Sequence, residues 1–262
     1  MSAGTGLERA SGAPLPSLGV GVCTLDEERA LPQLLSRLLQ TADCEDRPIE
    51  VVVADGGSVD RTVELAERMG ARVIAAGRGR GVQLAAAAEA LLETERGPDV
   101  LLFLHADCVP RPGSLAELRR AFAGRGARHA AALRQTIVAE GRAWRWIERA
   151  ANARARRGMV YGDSGLAVTP ELYRASGGYP AWPVFEDVEI SKAIRRLVRV
   201  ELLETATLAV SSRRWQEEGV LRCTLRNLVL RAAFECGVPP GKLAPWYRAL
   251  SGRGGRRLQR DG

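Results

Sequence analysis

The chain has 262 residues, 46% of them hydrophobic and 26% charged, a mixture that excludes a wholly disordered or fibrous protein and fits one or two globular domains. Its formal net charge is +7, and only Lys192 and Lys242 of the 38 basic residues are lysines, so the surplus is arginine scattered along the sequence. Such a balance suits phosphate-bearing partners or anionic surfaces, or simply follows from an Arg- and Ala-rich composition.

The predicted elements alternate. A short apolar run at 18–24 predicts a first strand, followed by leucines 31, 34, 35, 38 and 39 at the spacing of one helix face. A β-branched run at 49–54 predicts a buried strand, after which Asp60 stands where a helix N-cap belongs. A third strand is expected at 72–75, an Ala-rich helix at 80–93, a fourth strand at 99–104 and a helix at 113–122. Strands apolar throughout and separated by helices predict a mostly parallel sheet covered on both faces. The second half is less regular, with strands expected at 129–139, 164–169 and 198–203 and helices at 144–156 and 187–197. A last helix is expected at 220–236, with Leu221, Leu225, Leu228, Val229 and Ala232 on its apolar side and Arg222, Arg226 and Arg231 along a basic edge. That composition fits either a core-docked helix or one lying on an anionic membrane.

The expected organisation is a loose tail at 1–16, one domain over 17–238 and a C-terminal extension at 239–262 ending in a Gly/Arg-rich tail. No apolar run reaches the ~18 residues of a spanning helix, and the N-terminal residues lack the apolar core of a signal peptide. The five cysteines (23, 44, 108, 223 and 236) form no C-x-x-C pair, which argues against a disulfide framework and for a reducing, cytoplasmic setting.

Ligands bind at the carboxyl ends of strands in open parallel sheets, so polar residues just beyond each predicted strand are the candidates. The first strand runs into Asp26-Glu27-Glu28, acidic residues that would equally suit a helix start. The second ends Asp55-Gly56-Gly57-Ser58: two glycines allow positive φ and close backbone approach, leaving Asp55 to accept hydrogen bonds from a nucleobase or sugar. The fourth ends His105-Ala106-Asp107, where Asp107 is placed to hold a divalent cation and His105, two residues back, shares its side as a second ligand or supporting group. Glu186-Asp187 opens a helix, either as a capping pair or as carboxylates that raise one another's pKa and supply a general base.

In this order, these motifs resemble the family 2 glycosyltransferases of GT-A fold over about residues 18–247. Val53-Ala54-Asp55-Gly56-Gly57-Ser58, with Asp60 and Thr62, is similar to the family's nucleotide-binding D-G-x-S-x-D-x-T signature. His105-Ala106-Asp107 resembles its D-x-D element, and Glu186-Asp187 the acidic pair that supplies its base. Gly79-Arg80 with Gln83, Tyr161-Gly162-Asp163, and Arg213-Arg214-Trp215 with Glu218-Gly219 resemble a small soluble subgroup associated with radical-enzyme gene clusters. Three positions depart from the family pattern: Cys23 replaces a proline, Asp26 an asparagine, and His105 the first aspartate of D-x-D.

The resemblance implies an α/β, GT-A type nucleotide-diphospho-sugar transferase fold and transfer of a sugar, with inversion, from a nucleoside-diphosphate sugar to an acceptor. It implies Asp26, Glu27, Asp55, Gly56, Gly57, Ser58, Arg80, Gln83, Asp107, Arg214 and Trp215 on the donor. Asp107, with His105, would hold Mg²⁺ or Mn²⁺. Asp187 would be the base, Glu186 its companion, and Tyr161 and Asp163 would line the acceptor side. The acceptor is left open among lipid, small molecule and protein, and peripheral contact with the inner face of a membrane is compatible with the absence of spanning segments. Two other readings are weighed against it: a nucleotidyltransferase acting on a sugar phosphate, against which the acidic loop after the first strand argues, and a basic nucleic-acid binder, against which the acidic strand ends argue.

Overall fold

The computed structural model describes residues 15–42 and 49–251. The predicted tail at 1–16 lies outside these apart from residues 15 and 16, as do Cys44 and the Gly/Arg-rich segment 252–262. Eight strands form one sheet. They are β1 (Leu18–Thr24), β2 (Ile49–Asp55), β3 (Arg72–Ala75), β4 (Val100–His105), β5 (Cys108–Pro110), β6 (Ala130–Val138), β7 (Leu166–Val168) and β8 (Glu201–Ser211), arranged β3-β2-β1-β4-β7-β6-β8-β5. The β3-β2-β1-β4 half is parallel, as its unbroken apolar strands predict. Beyond β4 the direction reverses: β7 is antiparallel to both β4 and β6, β8 runs parallel to β6, and β5 pairs antiparallel with β8.

Successive residues of each central strand feed opposite faces, the period-two geometry of a strand. Val51, Val53, Leu102 and Leu104 join Leu31, Leu34, Leu35 and Leu38 of α1 (Leu31–Ala42) and Leu115, Leu118 and Phe122 of α4 (Ser114–Phe122). Val52, Ala54, Leu101 and Phe103 join Leu84, Ala87, Ala88 and Leu91 of α3 (Arg80–Leu92) and Ile190 and Ile194 of α7 (Glu186–Leu197) on the other face. The shorter helices α2 (Thr62–Arg68), α5 (Arg142–Arg156), α6 (Pro170–Ala175) and α8 (Arg213–Glu218) complete the layers.

The α2 start differs from expectation. Its N-cap position is Arg61, and Asp60 instead accepts the Thr62 N–H (2.9 Å) and the Glu28 N–H (3.1 Å), tying the helix start to the loop after β1. In α9 (Val220–Glu235) the row Leu221, Leu225, Leu228 and Val229 faces solvent, so the helix does not dock on the core by its leucine row. Arg226 is the residue turned inside: it pairs with Glu218, itself on α8, and lies over the Tyr247 ring at 5.5 Å. A buried guanidinium needs a carboxylate partner, and Glu218 supplies it. Past the expected domain end, residues 240–251 form a further helix, α10 (Pro240–Ser251), whose Leu243 and Ala244 share a small core with Val184 and Leu230.

Candidate active site

The carboxyl ends of β1, β2 and β4 lie side by side: Cys23 is opposite both Ala54 and His105, and Thr24 is opposite Asp55. The candidates from three separated stretches of sequence therefore meet along one edge of the sheet.

At the β1/β2 end the polar groups satisfy one another. Asp55 accepts the Thr24 hydroxyl (3.1 Å), the Ser58 hydroxyl (2.5 Å) and the backbone N–H groups of Gly57 (2.9 Å) and Ser58 (2.8 Å). Those four bonds occupy the acceptor sites of a carboxylate. Burial pushes the Asp55 carboxyl up, but the Ser58, Gly57 and Thr24 donors outweigh it and hold the group below the usual range. Asp55, expected to be open to a ligand, thus organises its own turn, with Gly57 at φ 88° supplying the positive φ. Asp26 closes the neighbouring loop: its N–H donates to the Ser58 hydroxyl (2.9 Å) and its carboxylate accepts the Val59 N–H (2.9 Å). The Glu27 N–H donates to the Thr62 hydroxyl (2.8 Å), and its carboxylate lies 3.8 Å from Arg213 of α8. Behind this loop pair, the buried Gln83 amide donates to the carbonyls of Thr24 (2.5 Å) and Ala54 (3.0 Å), locking α3 to the ends of β1 and β2. A side chain at Gly56 would press on that amide at 3.0 Å.

The β4 end leads to the acidic pair. Gly162, in a 3₁₀ turn over Gly162–Ser164, packs against the His105 ring, and a Cβ there would stand 2.1 Å from Nε2. Its N–H donates to Asp187 Oδ2 (3.2 Å), and Asp187 Oδ1 accepts the Val188 N–H (2.7 Å). Asp187 is half-buried and Glu186 is 1% exposed. Neither Glu186 carboxylate oxygen has a hydrogen-bond partner among the described residues. Burial pushes both carboxyls above their ordinary range. The Asp187 charge adds to the rise at Glu186, the Gly162 N–H offsets part of the rise at Asp187, and the Arg80 charge opposes both. Phe185, immediately before them, has φ 63°, a left-handed backbone that a bulky residue seldom adopts; among the described residues the other non-glycine with positive φ is Asp26. Strain of this kind persists where surrounding packing enforces it, here the stacking of Phe185 on Phe234 at 4.9 Å.

The buried Cys23 thiol links the two ends. Burial pushes it up to about 12, and the charges of Arg80, Glu186 and Asp107 all reach it. Arg80 therefore faces the acidic pair, with its guanidinium 5.5 Å from the Tyr247 ring centre. The N-terminus of α3 can approach so closely because Gly81 has no side chain: a Cβ would fall 2.0 Å from the Pro180 carbonyl, and its N–H donates to the Trp182 carbonyl (3.1 Å).

The remaining candidates sit at the margins. The Tyr161 ring has the Arg154 guanidinium 3.6 Å from its centre, and its hydroxyl accepts a hydrogen bond from Arg231 of α9 (2.5 Å). Asp163 accepts from Gln135 (3.2 Å) and lies 3.5 Å from Arg154, so it faces β6 and α5. Trp215 packs edge-on to Trp144 at 6.2 Å and against the core cluster on the α1/α4 side. The Arg214 side chain lies outside the described residues. Asp107 is half-buried, with the Cys108 thiol 3.4 Å from its carboxylate. Among the described residues no three His, Cys, Asp or Glu side chains are grouped to hold a metal. One half-buried carboxylate with a neighbouring imidazole fits a cation that draws its other ligands from phosphate and water, as Mg²⁺ commonly does. Sequence reading named Cys23 only as a departure from the family pattern and missed Arg154, Gln135 and Tyr247, whose contacts with Tyr161, Asp163 and Arg80 no local pattern marks.

Residues 19–175, more than half of the chain, match the family model "Glycosyl transferase family 2". An undecaprenyl-phosphate 4-deoxy-4-formamido-L-arabinose transferase of Pseudomonas paraeruginosa is 35% identical over 109 residues, 40% of this chain and about a third (32%) of that protein's length. Glucosyl-3-phosphoglycerate synthase from Mycobacterium tuberculosis, crystallised with Mn²⁺, UDP and glucosyl-3-phosphoglycerate, is similar in fold: TM-score 0.57, 21% identity, 86% of this chain and 81% of that one. A mannosyltransferase from Pyrobaculum calidifontis, in complex with GDP-Man and Mn²⁺, gives a TM-score of 0.56 at 18% identity, covering 94% of this chain and 73% of the other. The described residues contain no helix long and apolar enough to cross a membrane.

Proposed function

The chain belongs to glycosyl transferase family 2 and is a glycosyltransferase of GT-A fold, and from that premise we propose that it moves a sugar from a nucleoside-diphosphate donor to an acceptor nucleophile with inversion, using Asp187 as general base. The observation that carries this reading is the acidic pair at the start of α7. Asp187 is partly open and held by two backbone N–H groups, so its orientation is set before any acceptor arrives. Positioned acid–base groups of this kind typically contribute ~10²–10⁴-fold. Attack from the Asp187 side, opposite the departing diphosphate, inverts the anomeric centre.

Glu186 is the companion: it is buried with both carboxylate oxygens unpartnered among the described residues, and burial together with the Asp187 charge pushes its carboxyl up. Arg80 balances that charge. On the donor side the interlocked loops at Asp26–Glu27 and Asp55–Ser58 offer a rigid wall for a nucleoside, with Gln83 holding it from behind. Asp107, with His105 beside it, would hold a divalent cation supplying positive charge where the diphosphate leaves. Tyr161 and Asp163 border the acceptor end.

The test is a panel of UDP-, GDP- and dTDP-sugars with Mg²⁺ or Mn²⁺. Release of nucleoside diphosphate, with inverted configuration in the product by NMR, is the expected result. Release of pyrophosphate would instead assign a nucleotidyltransferase, and turnover surviving Asp187→Asn in a folded protein would overturn the base.

A further inference from the structure

The outer surface of α9 and α10 is apolar where a folded chain has no internal reason to leave it so. Leu221, Leu225, Leu228 and Val229 form a row along α9 and are between 58% and 87% exposed; Trp246 of α10, 64% exposed, stands beside them. Leu225, Val229 and Trp246, with Arg222 and Arg226, border a cavity of about 420 Å³ reaching in to Leu230 and Leu243. The opposite side of α9 is also buried, through Cys223, Arg226 and Leu230. A helix apolar on two opposed faces needs burial on both, and only one face is covered by the fold.

We infer that this face docks on the surface of an anionic lipid bilayer. The surface carries the two features such docking needs: large apolar side chains, including a tryptophan, that enter the headgroup boundary, and cations at the rim. Arg222 and Lys242 are exposed at that rim with no ion pair among the described residues, whereas Glu218 and Glu235 nearby are engaged by Arg226, Arg231 and Lys192. Immediately after α10, residues 252–262 add four arginines and one aspartate.

Other occupants fit less well. The segments 1–14, 43–48 and 252–262 together contain Met1, Leu7 and Leu258 as their large aliphatic residues, too few to cover the row. A second copy packed on a two-fold axis would set the cationic rim against its own image, which like charge disfavours.

This inference rests on the surface and not on the identity of the base or donor. It has a consequence for the site: the inner side of the same two helices holds Tyr161 through Arg231 and contacts Arg80 through Tyr247. Docking by the outer side therefore leaves α9 and α10 as the layer between the bilayer and the Tyr161 end of the crevice.

Sedimentation of the full chain with vesicles of phosphatidylcholine containing about one-third phosphatidylglycerol tests it, against pure phosphatidylcholine. Expected are cosedimentation with the anionic vesicles, a weakening of roughly 100-fold in the double variant Leu225→Ser/Leu228→Ser, and roughly 5-fold in Arg222→Gln, with unchanged thermal melting in each. Failure of the wild-type chain to sediment, or equal sedimentation by the double variant, overturns the inference. So does a wild-type dimer, seen by sedimentation velocity, that the double variant dissociates, since it assigns the face to a second copy. Nucleotide-sugar turnover measured on the same preparations is a separate readout, so loss of docking with turnover intact leaves the transfer reading standing.

Discussion

The loop pair above β1 and β2 and the acidic start of α7 are both built from carboxylates, yet they are built in opposite ways. Asp55, Asp26 and Asp60 each meet backbone or hydroxyl donors within the two interlocked loops, and the Asp55 and Asp60 carboxyls sit below their usual range because those donors outweigh burial. Glu186 and Asp187 sit above it, with two Glu186 oxygens unpartnered. One region has used its polar groups to become rigid; the other retains unsatisfied polar capacity. Rigid walls suit recognition of a donor, whereas a strained and under-satisfied carboxylate pair suits proton transfer.

The largest effect expected is at Asp187. Asp187→Asn should lower kcat by ~10²–10⁴-fold while lowering stability by only about 1 kcal/mol, because the amide oxygen keeps one of the two backbone N–H bonds and the substitution removes the buried charge; steady-state kinetics with calorimetry checks it. The converse is expected for Asp55→Ala, which leaves the Ser58 and Gly57 donors without their acceptor. It should destabilise the fold by about 3 kcal/mol or more in urea titrations and weaken nucleotide binding only as the loop loosens. If Asp55→Ala instead abolished binding in a protein of unchanged stability, the contrast drawn between the two regions would be broken.

Gly162→Ala tests the junction between them. With a Cβ 2.1 Å from the His105 ring, the turn or the ring must move. A loss of about 1–3 kcal/mol in stability is expected, together with reduced turnover, since the same residue's N–H orients Asp187. The smallest effect is a pH dependence. Glu186 is raised to about 8, so the folded protein keeps this proton to a higher pH than the unfolded chain. Stability should therefore fall as pH rises from the ordinary carboxylate range towards 8, with Asp187 shifted in the same direction. Glu186→Gln should remove much of that slope and stabilise the protein at pH 9 by on the order of 1–2 kcal/mol, measured by chemical denaturation at pH 6 and pH 9.

Much of the fold was legible before the coordinates. β1, β3 and the start of α9 begin where the sequence pattern predicts, and most other boundaries shift by one or two residues. The elements that escaped prediction, β5, α6, α8 and α10, are short or begin at proline, and periodicity needs length to be visible. Candidate site residues at strand ends were legible for a related reason: a polar residue directly after an apolar strand has a known position whatever the rest of the chain does. The direction reversal beyond β4 was not, because a three-residue strand such as β7 carries no signal of its pairing sense.

What the sequence determined by itself is local: the alternation that builds a two-faced sheet, the glycines that let Asp55 and its turn close, and the order of the four polar motifs. Tertiary structure decided which polar groups were already satisfied, and which way α9 turned. The leucine row fits a core or a membrane surface alike; the structure leaves it in solvent, while Arg226 lies inside, paired with Glu218. Hydrophobic burial is non-directional, whereas a buried guanidinium demands one specific carboxylate partner. That demand is set by a residue on another helix, so it became visible only in three dimensions.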